Sequence, residues 1–317
     1  MGSNARGALL ALVAFGAYAT HDVLVKFLGE VYNPVQIVFF SVAFGFPLAT
    51  LLLVRDTTMG NLRPVHPWWT ALRTGAAVTT AVCAFYAFSV LPLAQTYAIL
   101  FAQPLLITVL SIPILGEKVG PRRWMAVLAG LVGVVVVLRP GAADLGLGHL
   151  AGLTASFGSA LTSIIIRKIG REERSVVLML YPMLANFILM GCLLPFVYQP
   201  MPVGDLGMAA GVAAFGFVGA LITIAAYKAG EAVVVAPMQY SQILWATAYG
   251  YLLFGEVPDG ATLLGATIII LSGVYIVLRE GGKTSGNQPV LNTRTRFDPG
   301  TGARVGALAR LTRRGVR

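Results

Sequence analysis

The chain has 317 residues, 57% of them apolar and 11% charged, with a formal net charge of +10 and a mean hydropathy of +0.79. A soluble domain is roughly half apolar and a quarter charged, so this composition excludes one and makes a bilayer the solvent. The positive charge does not point to nucleic acid: from Gly281 to Arg317 eight basic residues face the single acid Asp298, so +7 of the charge lies in a tail without apolar periodicity. Such a tail reads as a disordered cytoplasmic extension.

Ten stretches are long enough to cross a hydrocarbon core about 30 Å thick at about 1.5 Å per helical residue. In chain order they are spans 1 to 10: 7 to 28, 34 to 54, 68 to 90, 92 to 114, 122 to 138, 147 to 167, 176 to 197, 204 to 228, 232 to 254 and 260 to 278. Span 1 holds Tyr18, Thr20, His21 and Asp22 in its interior and lacks a small-residue cleavage site, so it is expected to stay as a spanning helix. Polar groups inside a span are costly in hydrocarbon and normally face a cavity or a partner helix. On that ground Tyr18 and His21 are expected at a substrate cavity, together with Thr80 and Tyr86 of span 3 and Gln95, Tyr97 and Gln103 of span 4. The second half adds Ser159 and Ser163 of span 6, Tyr227 of span 8, and Gln239, Gln242 and Trp245 of span 9. Spans 2, 5, 7 and 10 are poorer in such groups.

Within span 9, Gln239, Gln242, Trp245 and Tyr249 recur at three, three and four, which puts amides and rings on one helical face. A zwitterion with an apolar or aromatic side chain needs that mixture. The rings also suit an interfacial belt. His21 and Asp22 are adjacent, about 100° apart around a helix, so His21 is expected to face the cavity and Asp22 a neighbouring helix. Asp22 is the one carboxylate well inside a span, which makes the pair the first place to look for proton coupling. Pro104 and Pro237 remove a backbone donor in spans 4 and 9 and are expected to be bending points. Cys83 and Cys192 have no partner spacing, and no metal or phosphate-loop motif occurs, so no cofactor is expected.

The chain repeats itself. SIPILGEK (111 to 118) and GYLLFGE (250 to 256) each precede an apolar run, closing on VVVVLRP (134 to 140) and VYIVLRE (274 to 280). Phe15, Gly16, Thr20 and Lys26 recur 142 residues later as Phe157, Gly158, Thr162 and Lys168. The repeats run over 7 to 140 and 147 to 280. Alternate loops collect twelve lysines and arginines before Arg279 on one side of the membrane, against Lys26 and Arg139 on the other. The positive-inside rule then puts both termini in the cytoplasm. Five spans per half is odd, so the second half is expected to be inverted, the geometry of alternating access about a midplane site.

Leu-Pro-Leu-Ala (91 to 94), Ile-Leu-Gly-Glu-Lys (114 to 118) and a Gly-rich helix ending in Val-Leu-Arg-Pro resemble the EamA-type module of the drug/metabolite transporter superfamily. Gly-Glu-Ala-Val-Val-Val-Ala-Pro (230 to 237) through Leu-Phe-Gly-Glu (253 to 256) resembles its second copy. The resemblance implies an all-α integral membrane carrier of ten helices in two inverted repeats, in the inner membrane of a bacterium. Spans 1, 3, 4, 6, 8 and 9 would surround the cavity, with spans 5 and 10 aside. Small residues at Ala126, Gly130, Gly133, Gly265, Ala266 and Gly273 agree, since they suit close helix packing. Glu117 and Glu256, the hallmark of the family, sit at span ends and read as caps and turn locks on opposite faces.

The expected function is export of small neutral or zwitterionic metabolites, hydrophobic and aromatic amino acids first, with a monomer or homodimer in the lipid bilayer and no nucleic-acid partner. A carrier of phosphorylated metabolites, nucleotide sugars or lipids is the alternative. It would want cations in the cavity, whereas the basic residues gather at span ends.

Overall fold

The structure, a computed structural model, describes residues 3–53, 62–117, 119–139, 145–170, 172–230 and 232–281. Among these, every regular element is helical. The helices are α1 (Ser3–Gly29), α2 (Pro34–Leu53), α3 (Pro67–Val90), α4 (Leu93–Leu100), α5 (Gln103–Leu115), α6 (Pro121–Leu138), α7 (Leu147–Ile169), α8 (Ser175–Val197), α9 (Val203–Ala229), α10 (Ala232–Val235), α11 (Gln242–Phe254) and α12 (Gly260–Gly281). A 3-10 segment, Ala236–Ser241, joins α10 to α11. Among the described residues, six helices are long and apolar enough to cross a membrane, and Pro34–Thr50, Trp124–Leu138 and Gly260–Ile276 are shorter apolar helices. Lys118, Glu231 and the basic tail from residue 282 lie outside the described residues.

Local chemistry sets the helix ends. Pro67 and Pro121 open α3 and α6, where the missing N–H is no loss. Gly116 and Gly255 close α5 and α11 in the left-handed region, φ +71° and +65°, which a side chain would resist. Asp259 caps α12 through the Thr262 amide at 2.8 Å.

Spans 4 and 9 are both broken. Span 4 divides at Phe101 and Ala102, just before Pro104; span 9 tightens into the 3-10 turn that contains Pro237. The two breaks meet, with the Phe101 and Tyr240 rings edge-on at 5.1 Å. Helices pair across the halves, α1 with α9, α3 with α7, α2 with α8 and α6 with α12, and α4 meets α11. Glycine allows the closest approaches. A Cβ at Gly265 would fall 2.6 Å from the Gly133 carbonyl, and one at Gly7 2.7 Å from the Gly230 Cα. Outside, Leu128, Ile188, Leu244 and Leu252 are exposed, a liability in water but ordinary against lipid.

The two Gly-Glu pairs do not cap the following helix, as the sequence suggested. Gly120 takes the cap position of α6 and Asp259 that of α12. Instead each glutamate reaches a cation near the C-terminal end of a helix in the other half. Glu117 Oε1 lies 2.5 Å from Arg167 on α7, and Glu256 Oε1 lies 2.7 Å from Lys26 on α1. Lysines also tie down turns: Lys168, next to Arg167, donates to the Ile114 carbonyl at 2.8 Å, and Lys26 to the Leu91 carbonyl at 2.7 Å.

Candidate functional site

A cavity of about 390 Å³ lies between the helix pairs, lined from α1, α2, α3, α4, α5, α7, α8, α9, the 3-10 segment and α11, and not from α6 or α12. Nine of the residues expected there line it: Tyr18, His21, Thr80, Tyr97, Gln103, Ser159, Ser163, Gln239 and Gln242; Asp22 and Pro104 join them. Gln103 Nε2 donates to Ser163 Oγ at 3.3 Å, and Ser163 returns its proton to the Ser159 carbonyl at 2.9 Å. Thr80 bonds the Ala76 carbonyl at 2.7 Å, so its methyl group rather than its hydroxyl is spare.

Four expected residues lie elsewhere. Tyr86 packs against the main core, and Tyr227 against Ala11, Phe15, Ala226 and Val235. Gln95 Nε2 lies 3.1 Å from His149 Nε2, tying α4 to the first turn of α7, while His149 Nδ1 accepts from the Gly146 amide at 3.2 Å. Trp245 covers Gly16, where a Cβ would come within 3.2 Å of the indole, and stacks near Tyr249 at 6.1 Å. The stripe on span 9 is thus divided: the amides reach the cavity, while α1 closes over the rings and bonds Tyr249 through Thr20 at 3.1 Å. Helical phase alone could not show which part of the stripe a neighbour covers.

Sequence polarity also missed a wall. Val38, Ser41, Val42 and Gly45 of α2 and Met179, Met183 and Asn186 of α8, two helices packed together, line the cavity. Apolar spans carry no polar signal, so only assembly brings them in. Buried Ser41 Oγ and Asn186 Oδ1 have no hydrogen-bond partner among the described residues. Phe85, Phe88 and Phe101 supply rings. Arg167, read from sequence as a span-end cation, lines the cavity, with its guanidinium held by Glu117.

The most connected polar group is on α1. His21 Nδ1 lies 2.7 Å from Asp22 Oδ1, the Tyr97 hydroxyl donates a short bond to Asp22 Oδ2, and Gln242 Nε2 approaches the Tyr97 oxygen at 3.5 Å. Asp22 is held by Tyr97 of α4, and both His21 and Asp22 line the cavity. Between α1 and α2, Tyr32 donates to Asp205 Oδ2 in the first turn of α9 at 2.5 Å, and that bond, followed by burial and the carboxylate's charge, holds the phenol above its ordinary range. Gln36 pairs with the Gln199 backbone at 2.7 and 2.9 Å on the same side.

A riboflavin transporter of Vibrio cholerae is 31% identical over 262 residues, 77% of this chain and 87% of that protein. An S-adenosylmethionine uptake transporter of Rickettsia bellii is 26% identical, covering 86% of this chain and 92% of its own, and the pseudopaline exporter CntI of Pseudomonas aeruginosa is 24% identical, covering 87% and 97%. A solved crystal structure superposes with a TM-score of 0.59 at 20% identity over 87% of this chain and 99% of that one, a likeness of fold. Residues 5–139 and 146–279 each match the EamA-like transporter family. Two family modules end to end over a set of apolar helices identify the chain as a member of the EamA-like transporters of the drug/metabolite transporter superfamily.

Proposed function

We propose that this transporter moves a neutral or zwitterionic metabolite bearing an aromatic or apolar side chain, hydrophobic and aromatic amino acids first among them, outward across the bacterial inner membrane by alternating access. The observation that carries the reading is the cavity wall: the rings of Tyr18, Phe85, Phe88 and Phe101 and the amides of Gln103, Gln239 and Gln242 line one cavity. Rings take a flat side chain and amides take an ammonium and a carboxylate without demanding net charge. A volume near 390 Å³ suits a small metabolite, since ligand pockets run from about 300 to 1,000 Å³.

The inverted repeat, 7 to 140 against 147 to 280, is part of the same proposal. Its support is the matching of features between halves: the left-handed Gly116 and Gly255, the cross-half ion pairs of Glu117 and Glu256, and the breaks in spans 4 and 9. A pairing of span 1 with span 8 becomes, under exchange of halves, span 6 with span 3, and both pairings occur. Both termini lie in the cytoplasm on this reading, from the charge bias.

A second reading is favoured by the relatives. Riboflavin and S-adenosylmethionine, named for two of them, each carry a heteroaromatic ring, so a larger flat substrate fits the same chemistry. The test is competition in proteoliposomes holding the full chain, with labelled tryptophan against phenylalanine, leucine, riboflavin, S-adenosylmethionine and a sugar phosphate. Competition by the aromatic amino acids is expected. Competition by the sugar phosphate alone would overturn the proposal and restore the phosphorylated-substrate alternative.

A further inference from the structure

A proline opens a gap in α8 that a side chain from another helix fills. In an α-helix the Leu178 carbonyl would accept the N–H of residue 182, but that residue is a proline inside α8 and has no N–H to give. Leu178 is buried, so water cannot make up the loss, and an unmet carbonyl in such a place is costly. The donor comes from the other family module: Arg73, in the second turn of α3 and only 4% exposed, gives an Nη1–H to the Leu178 carbonyl. A guanidinium bond of this kind is charge-assisted, and the planar group fixes its direction. On the far side of the proline, Asn186 Nδ2 donates to the Pro182 carbonyl at 3.0 Å. The proline turn is thus held at both ends, once from α3 and once from its own helix.

We propose that Arg73 is a positioning residue of the transport cavity: by supplying the bond that Pro182 withholds, it fixes the α8 part of the wall relative to the α3 part. This rests on the reading of the cavity as the substrate site. Met179, Met183 and Asn186, spaced by four and three, form one face of α8 and line the cavity, and Ala77, Thr80 and Phe85 of α3 line it too. Arg73 itself does not line it, so the residue touches no substrate and acts through α8. The role sets a definite order among substitutions. Methionine at 73 keeps the apolar stem but leaves the Leu178 carbonyl without the donor. Lysine at 73 still offers N–H groups, though without the planar fork. Alanine at 182 returns the backbone N–H, and with it Arg73 becomes dispensable. That last exchange separates the proposed role from a general contribution of Arg73 to folding, which alanine at 182 would not replace.

The test has two arms that fail independently. In lipid nanodiscs, amide hydrogen exchange of the full chain should be about tenfold faster along α8 around residue 182 in Arg73→Met than in the native chain, as when one buried acceptor loses its donor. Arg73→Met combined with Pro182→Ala should exchange as the native chain does, and Arg73→Lys should stay within about threefold of it. Unchanged exchange in Arg73→Met, or a double variant as fast as the single, overturns the proposal whatever the substrate is. In proteoliposomes, the KM for tryptophan should rise about tenfold in Arg73→Met, with kcat within about twofold of native, and should return in the double variant. A fall in kcat at unchanged KM, or a KM that the double variant does not restore, overturns it as well. If Arg73→Met is not recovered folded, recovery of the double variant upholds the proposal and loss of both overturns it. Absence of flux in the native chain for tryptophan and every other compound of the panel overturns the substrate reading instead, and leaves the exchange arm to decide the role of Arg73.

Discussion

Replacing Glu256 by Gln removes one charge from a pair that the fold has closed off from water. Side-chain exposures are 8% for Lys26 and 21% for Glu256, with 2.7 Å between the charged atoms. At an effective dielectric constant near 20 the pair attraction is about 6 kcal/mol, much of it offset by the desolvation of both groups. Glu256 Oε2 also accepts the Leu93 amide at 2.9 Å, while Lys26 keeps the Leu91 carbonyl at 2.7 Å and the Phe254 ring at 5.1 Å. A glutamine can serve the amide or the ammonium but cannot neutralise it. Breaking one side of a buried pair costs about 3 to 5 kcal/mol, and the retained lysine contacts favour the lower end. At about 2 °C per kcal/mol for a chain of this size, Glu256→Gln should lower the melting temperature of the purified transporter in detergent by about 6 °C, read by tryptophan fluorescence. The double variant Lys26→Met, Glu256→Gln should recover most of that loss, since no charge is left stranded. A single variant melting within about 1 °C of the native chain, or a double variant melting as low as the single, would refute this account of the Gly-Glu motif.

Gly265→Val should depress the folded yield sharply, because a Cβ there meets the Gly133 carbonyl at 2.6 Å and the Val137 amide at 3.0 Å, and backbone cannot step aside; size-exclusion recovery measures it, with full recovery counting against the close α6 and α12 seam. Gln242→Leu should raise the KM for tryptophan about tenfold or more, whereas Gln95→Leu should leave it unchanged because Gln95 serves His149; equal effects would mean that the cavity boundary is misdrawn. The Tyr32 phenol is held above its ordinary range, so it favours the folded state fully below about pH 10 and that share is lost as pH climbs through the raised value. Tyr32→Phe should therefore flatten the alkaline end of the stability profile, and phenolate absorbance should show one late-titrating tyrosine fewer.

Much of the fold was legible because hydrocarbon forces each backbone group to be satisfied within its own helix, so apolar length alone maps the spans. Span ends at Leu91 and Pro92, the small-residue seam of α6 with α12, and the bends near Pro104 and Pro237 follow from residues that allow little else. The candidate site was legible where polarity marks it, as at His21, Asp22, Gln103 and Gln242. Polarity failed in both directions. It nominated Tyr86, Gln95, Tyr227 and Trp245, whose polar or aromatic groups serve neighbouring helices, and it passed over Val38, Val42 and Met183, which form a wall without any polar mark.

The sequence by itself determined an apolar, helical bilayer protein of two related modules, because apolar length and repeated motifs depend on one helix at a time. Only the tertiary structure decided what each marked residue faces. Glu117 and Glu256 turn out to meet Arg167 and Lys26 across the halves rather than cap their own turns, and Asp22 finds Tyr97 75 residues away. Partners so distant are chosen by how helices pack, and packing is a property of pairs of surfaces that no single helix carries in its own periodicity.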